Sequence, residues 1–430
     1  MHIPRPDIRT IRPKRQGLTL VAVLWLVMLL TVLITTLAKS VRLENRLNVS
    51  SQETTRLSWA CRAGLETALA LLNDDERAGD GLCELWSDND ADCRNVALNR
   101  CRFDLEIIDE AGKLNINTAT REQLLELPGM TPSIADAILD WRDQDDQAQT
   151  QGVEGGYYAN LRPGYEIRNG HLLTIRELAL VKNVTPELLY GEDLNQNRLL
   201  DDNERDGNQR PPDDDGDKKI DPGWIEFLTC YSYDVNLDAL GRNRTNINSA
   251  DQAALQYQLG VSAGQAKWIL EKRPFQGIAD LIEEDSPREP PQDDESNEPR
   301  RLDLATFRRI ADQITVKDEE LTLGLVNINT APLEVLAALL EGDHKTAHTI
   351  VQFRESGRKT MESIAELLDA KQISITTFKK IAGQITTRSN VFTVYVLSKS
   401  DQTGAKRLLE AVVDRRRVPP AALYWYERTN

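Results

Sequence analysis

Asn115-Ile116-Asn117-Thr118-Ala119 recurs as Asn246-Ile247-Asn248-Ser249-Ala250 and again as Asn327-Ile328-Asn329-Thr330-Ala331. Each copy follows a strand-like segment and opens a helical pattern, so one supersecondary unit is used three times. An internal repeat of this kind fixes domain architecture before any other feature. After the first copy, a helix through Leu124 and Leu127 breaks at Pro128-Gly129 and resumes through Ile134, Ala135, Ile138 and Trp141 to Arg142. The second breaks at Gly260 and continues through Ala266 and Ile269 to Arg273. The third has Pro332 near its helix start, breaks near Gly342 and runs through Ala347 and Ile350 to Arg354. The spacing predicts helix-hairpin-helix units, each followed by a short helical stretch at 175–182, 278–283 and 363–370. Ser249 and Gln252 are spaced as a capping box. The motif isoleucine is expected to plug each corner into its core, with Asn and Thr satisfying the free N–H groups of the helix start.

Such units often grip DNA phosphates with a Gly-apolar-Gly turn and a helix N-terminus. Here the turns read Gly129-Met130-Thr131-Pro132, Gly260-Val261-Ser262-Ala263 and Gly342-Asp343-His344-Lys345, and the second glycine is missing from each. Pro132 has no N–H, and Asp136 and Asp343 place negative charge where a phosphate would sit. The chain carries 52 basic and 68 acidic residues, a net −16. Residues 1–17 hold Arg5, Arg9, Arg12, Lys14 and Arg15 against Asp7, a local +4, so the remainder stands near −20. That charge repels nucleic acid and favours a scaffold over a DNA-binding reading. A length of 430 residues allows about three domains, and 40% apolar residues can fill their cores.

Residues 18–38 are uncharged and long enough to cross a hydrocarbon layer of ~30 Å. The basic segment before them keeps residues 1–17 cytoplasmic and exports the rest. Leu43, Leu47, Leu57, Ala60, Ala68, Leu69 and Leu72 extend the helical spacing, predicting one helix ~80 Å long whose second part packs on a soluble domain. A basic leader ending in Gly17, followed by Leu18-Thr19-Leu20 and this long apolar helix, resembles a type IV prepilin or pseudopilin. The resemblance implies cleavage after Gly17 by a prepilin peptidase, leaving Leu18 first. Most such subunits carry Glu at the fifth mature position; here it is Ala22. In that departure the chain is similar to the K-type minor pseudopilins of type II secretion systems. The resemblance implies a subunit at the tip of the pseudopilus, anchored in the inner membrane with its bulk in the periplasm. Its implied partners are the I- and J-type minor pseudopilins, bound through the N-terminal helix, and not nucleic acid. The alternative is a membrane-anchored, competence-type nucleic-acid-binding protein.

Between the first two repeats, residues 193–204 place oxygen side chains at Asp193, Asn195, Asn197, Asp201 and Glu204, with the Leu199 carbonyl between. That is the ligand order of an EF-hand-like calcium loop, in which hard oxygens converge from alternate residues. Arg198 stands where the loop normally has glycine. A second run offers Asp213, Asp215, Asp217 and Asp221 around Gly216. A solvated acidic loop is the other reading of both runs, and one ion or two are both open. The K-type resemblance implies calcium here, in a structural role.

Residues 103–108 alternate as a strand, and 391–398, 407–415 and 421–428 follow as a meander. Packed on the long helix they would form an α+β, pilin-like body: a leader at 1–17, a membrane span at 18–38, and helix and first strands at 39–110. The inserted helical domain runs over 111–386, with the acidic loop 192–222 and a linker at 283–301, before the last strands at 387–430. Gly260-Val261-Ser262-Ala263-Gly264 matches a serine-hydrolase pattern but follows a helix rather than a strand, so it reads as a hairpin turn. His344 and His348 share a helix face without a third ligand. No enzyme site is identifiable. Cys61, Cys83, Cys93, Cys101 and Cys230 would meet an oxidising space, making a disulfide within 83–101 an expectation without an assignable pairing.

Overall fold

The computed structural model describes residues 16–205, 207, 217–289, 298–357, 360–370 and 372–429. A single helix, α1, spans Gln16–Asp74. The chain divides into two compact units, residues 1–59 and 60–430. In the first, apolar side chains from Leu20 to Val49 lie exposed all round the helix, which is long and apolar enough to cross a membrane. Thr31 and Thr36 donate their hydroxyls to the carbonyls of Val27 and Val32 at 2.7 and 2.9 Å, so these groups need no water.

In the second unit, the end of α1 turns amphipathic and buries Ala60, Cys61, Ala68 and Leu72. They pack on a five-stranded antiparallel sheet of β1 (Val96–Leu98), β2 (Cys101–Asp109), β3 (Val391–Ser400), β4 (Lys406–Asp414) and β5 (Ala421–Thr429), ordered as numbered. Gly64 sits where a Cβ would lie 2.4 Å from Val396 Cγ1, so the helix approaches the sheet only without a side chain there. β2 alternates inward Phe103, Leu105 and Ile107 with outward neighbours, as its spacing requires. β2 pairs with β3 from Phe392↔Asp109 to Ser400↔Cys101. The repeats are therefore inserted between two adjacent strands of one ladder.

The three repeats share one construction. A two-residue strand enters each motif and pairs in parallel with a strand that closes the repeat: Leu114–Asn115 with Leu228–Thr229, Thr245–Asn246 with Ile314–Thr315, and Val326–Asn327 with Ile385–Thr386. Helix pairs follow at Arg121–Leu125 and Pro132–Arg142, Gln252–Leu259 and Ala263–Lys272, and Leu333–Leu339 and His344–Gly357. Turn residues Gly129, Gly260 and Gly342 take φ of 71°, 62° and 88°, the left-handed region that glycine enters without strain. Short 3₁₀ helices then form at Ile175–Leu180, Ile278–Leu281 and Ile364–Asp369. The motif residues Ile116, Ile247 and Ile328 are all fully buried in one shared core.

The motif asparagines do not cap the helices. Thr120 and Asp251 cap the first and second, and Pro332 begins the third without a side-chain cap. The expected Ser249–Gln252 box is absent for the same reason: the helix begins after Asp251, whose carboxylate accepts the Ala254 amide at 2.7 Å. Instead, the first Asn of each motif accepts the amide of the second, at 2.8–3.0 Å. The second then clasps one residue at both its N–H and C=O: Asn117 holds Leu172, Asn248 holds Phe275 and Asn329 holds Met361. A terminal arginine completes each unit. Arg142 donates to the Ile116 and Ala119 carbonyls, Arg273 to those of Ile247 and Ala250, and Arg354 to those of Ile328 and Ala331. Burial among neutral carbonyls pushes the Arg142 guanidinium down to about 10 and lowers Arg273 and Arg354 too.

Candidate functional site

The acidic loop 193–204 folds through its own oxygen side chains. Asp193 accepts the amides of Asn197 and Arg198 at 2.8 and 2.9 Å. Asn195 and Asn197 both donate to Asp201 Oδ2, at 2.9 and 2.7 Å, and Asn197 Oδ1 accepts the Leu199 amide. Glu204 Oε2 accepts the Asp201 amide at 3.0 Å, closing the loop on itself. The structure thus gathers Asp193, Asn195, Asn197, Leu199, Asp201 and Glu204 into one hydrogen-bonded turn. The amide contacts hold Asp201 below the usual carboxylate range, whereas burial raises Asp193.

Arg198 at the glycine position takes φ of 58°, the strained region its place in the loop demands. Its guanidinium accounts for the departure. It binds Glu106 on β2 and Glu226 at 2.9 and 2.8 Å, and lies 4.1 Å from the centre of the Tyr395 ring on β3. Burial opposes the charged guanidinium, but Glu226 and Glu106 together raise its pKa well above the ordinary value. Arg428 on β5 donates to the Asn195 and Gln196 carbonyls at 2.7 and 3.1 Å. Arg176 binds Glu410 on β4 through two nitrogens at 3.0 and 2.8 Å and reaches Gln196 Oε1 at 3.3 Å. Arg176, Arg198, Glu106, Tyr395 and Glu410 line a cleft of about 600 Å³ between the loop and the sheet. A loop too poor in apolar residues to order itself is fastened by three arginines to strands distant in sequence.

The loop's chemistry fits a hard cation in one respect above all. Glu204 is 5% exposed, and its Oε1 is buried with no hydrogen-bond partner. It faces the terminal-ligand role that a calcium loop gives its last glutamate. In the second acidic run, Asp213 and Asp215 lie outside the described residues. Asp217 accepts the Lys219 amide at 2.7 Å, and the Asp221 amide donates to Glu192 at 2.9 Å.

Other expectations resolve simply. Ser262 of the hydrolase-like pattern is a helix cap, its hydroxyl accepting the Gln265 amide at 3.3 Å. His344 and His348 lie on one helix. Gly17 and Leu18 fall in the first turn of α1, while residues 1–15 lie outside the description. None of the five cysteines forms a disulfide. The expected pairing within 83–101 fails because exposed Cys83 stands beside Thr360, whereas Cys93 is buried in the core under the sheet. Periodicity gives no sign of Arg176, Arg198 and Arg428, since their partners are remote in sequence. The repeat arginines did leave a signal: each follows the first Asn of its motif by the same interval, 142 − 115, 273 − 246 and 354 − 327 all being 27.

Two family models match this sequence, both described as type II secretion system protein K, over residues 101–190 and 326–388. The first covers β2 and the first repeat up to residue 190, short of its closing strand, and the second covers the third repeat. A solved GspK-GspI-GspJ complex from the type 2 secretion system of enterotoxigenic Escherichia coli is similar at 12% identity and a TM-score of 0.44. That match covers 89% of this chain and 98% of the other. No curated protein matches. These findings give no support to the nucleic-acid-binding alternative, and the apolar helix fits a membrane-anchored, pseudopilus-associated subunit. Both protein K segments lie in order on one chain led by such a helix, and over those segments the chain is similar to the type II secretion system protein K family.

Proposed function

We propose that this minor pseudopilin is made as a prepilin, cut after Gly17, and held in the inner membrane by residues 18–38 with its bulk in the periplasm. From there it joins the I- and J-type minor pseudopilins through its N-terminal helix and occupies the pseudopilus tip. It acts by packing rather than catalysis: the helix enters a bundle, and the inserted repeats form a cap too broad to be followed by another subunit. The observation that carries this reading is the order of parts: an exposed apolar helix whose first turn holds Gly17 and Leu18, then the protein K segments. Ala22 in place of the usual glutamate leaves the helix without a carboxylate to meet an earlier subunit's N-terminal ammonium, which suits the first position in a filament.

In this reading Asp193, Asn195, Asn197, Leu199, Asp201 and Glu204 hold a structural calcium ion, with Asp213, Asp215, Asp217 and Asp221 as a second set. The ion would supply the positive charge that the Glu204 oxygen lacks, while Arg198 and Arg428 keep the loop on the sheet. Intact mass of the full chain, expressed with and without a prepilin peptidase, tests the pathway. Loss of residues 1–17 is the expected result. An uncut chain, under conditions that cut a control prepilin, would sink the reading.

A further inference from the structure

Outside the acidic loop, three carboxylates meet without a salt bridge among the described residues, and Arg142 acts on Asp143 only through its field. Asp140 lies in the last turn of the helix Pro132–Arg142, Asp143 just past its end, and Glu154 at the start of the helix Gly155–Ala159. A ligand oxygen from each lies within 4.8 Å of the other two. Four oxygens are buried without a hydrogen-bond partner: Asp140 Oδ2, Asp143 Oδ1 and both of Glu154. Asp140 is 0% exposed. Its Oδ1 accepts the Gln149 amide at 2.9 Å, and the Val153 amide also favours its ionised form, yet Oδ2 still lacks a partner. Among the described residues none of the three joins a salt bridge. Arg142, adjacent to Asp143, directs its donors to the Ile116 and Ala119 carbonyls instead.

Uncompensated like charges in a buried site are among the costliest arrangements a fold can hold. Two oxygens on a common calcium ion, each about 2.4 Å from it, stand at most about 4.8 Å apart. The three ligand oxygens lie within that limit of one another. One neighbour is shaped to the site. A Cβ on Gly152 would lie 1.8 Å from Asp140 Oδ2, so the connection passes over that carboxylate only as glycine.

We propose that Asp140, Asp143 and Glu154 bind a calcium ion of their own, separate from the 193–204 loop. The ion fastens the 143–154 connection to the first repeat. That connection leads into Tyr158, which packs edge-on against Trp141 at 5.1 Å.

The test uses the full chain in detergent, with Asp193→Asn and Glu204→Gln silencing the loop. Equilibrium dialysis against calcium alone should still find one ion per chain, with Kd on the order of 10⁻⁴ to 10⁻³ M. Adding Glu154→Gln should weaken that binding at least tenfold. A melt in EGTA guards against misfolding: Glu154→Gln should melt at or above the loop-silenced parent, because it removes repulsion, and should no longer gain Tm on adding calcium. Three results would each overturn the proposal: no calcium retained by the loop-silenced chain, retained calcium that Glu154→Gln leaves undiminished, or a lower melt for Glu154→Gln in EGTA.

Discussion

Two acidic triads of the same composition lie in the second unit, Asp75–Asp80–Glu84 and Asp140–Asp143–Glu154, and they are settled in opposite ways. In the first, every carboxylate has a partner from the chain. Arg415, 2% exposed, donates to Asp75 and Asp80 at 2.6 and 2.7 Å and to the Ser389 carbonyl at 2.8 Å. Asp80 also accepts the Ser389 amide at 2.7 Å, and Glu84 accepts Trp86 Nε1 and Thr360 Oγ1 at 2.9 and 2.7 Å. In the second, Asp140 accepts the Gln149 amide, but no guanidinium bonds to any of the three and four oxygens stay without a partner. The first binds the end of α1 to the end of β4, a joint on which the body depends, and its cation is covalently part of the chain. The second sits in a connection on the repeats, where a counter-charge can come from solution. A buried carboxylate cluster therefore does not by itself mark a metal site; what separates the two triads is whether a guanidinium is hydrogen-bonded to the carboxylates.

Breaking the first triad should have the largest effect. Arg415→Met leaves Asp75 and Asp80 buried without their cation, and removing one partner from a buried pair costs about 3–5 kcal/mol. The urea midpoint of the full chain in detergent should fall accordingly, in EGTA and in calcium alike. A loss below about 1 kcal/mol would mean that the guanidinium only offsets its own desolvation. Gly152→Ala comes next. Its Cβ cannot coexist with Asp140 Oδ2, so overpacking should cost about 2 kcal/mol and displace the carboxylate. Calcium-dependent stabilisation should then shrink while the Arg415 joint is untouched. An unchanged calcium increment would show that Asp140 is no ligand.

The difference between the triads was not legible in the sequence, although much of the fold was. The three motifs, the turn glycines, the β2 alternation and the meander all carry local periodicity, and each appears where its spacing puts it. The role of the asparagines is not legible locally, because capping is a local rule whereas Asn117 clasps Leu172 and Asn329 clasps Met361, contacts set by how the repeat closes. The loop's oxygens could be read from their alternation. Its anchorage could not, since Arg198 looks like a defect until Glu106 and Tyr395 are seen beside it. Asp140, Asp143 and Glu154 belong to an ordinary acidic stretch by composition. Only the packing of the 149–154 segment over Asp140 turns them inward.

The smallest expected effect sharpens the comparison most, because it converts one triad into the other. Glu154→Lys places an ammonium beside Asp140 and Asp143, supplying from the chain what we assign to calcium. It should raise stability in EGTA by about 1 kcal/mol, a figure already discounted for partial exposure of the site. Calcium should then add nothing there, since the cluster's charge falls from three carboxylates to two with a cation between them. Lysine reaches further than glutamate and holds its charge on a flexible stem, so the gain is bounded by the entropy of ordering it. Thermal melts with and without calcium, in the loop-silenced background, separate the outcomes. Stability gained in EGTA with the calcium increment lost would mean that the second triad requires a positive charge and is indifferent to its source. Stability lost in both conditions would mean that the buried oxygens are held by geometry specific to a metal ion, and that the guanidinium of the first triad is no guide to the second.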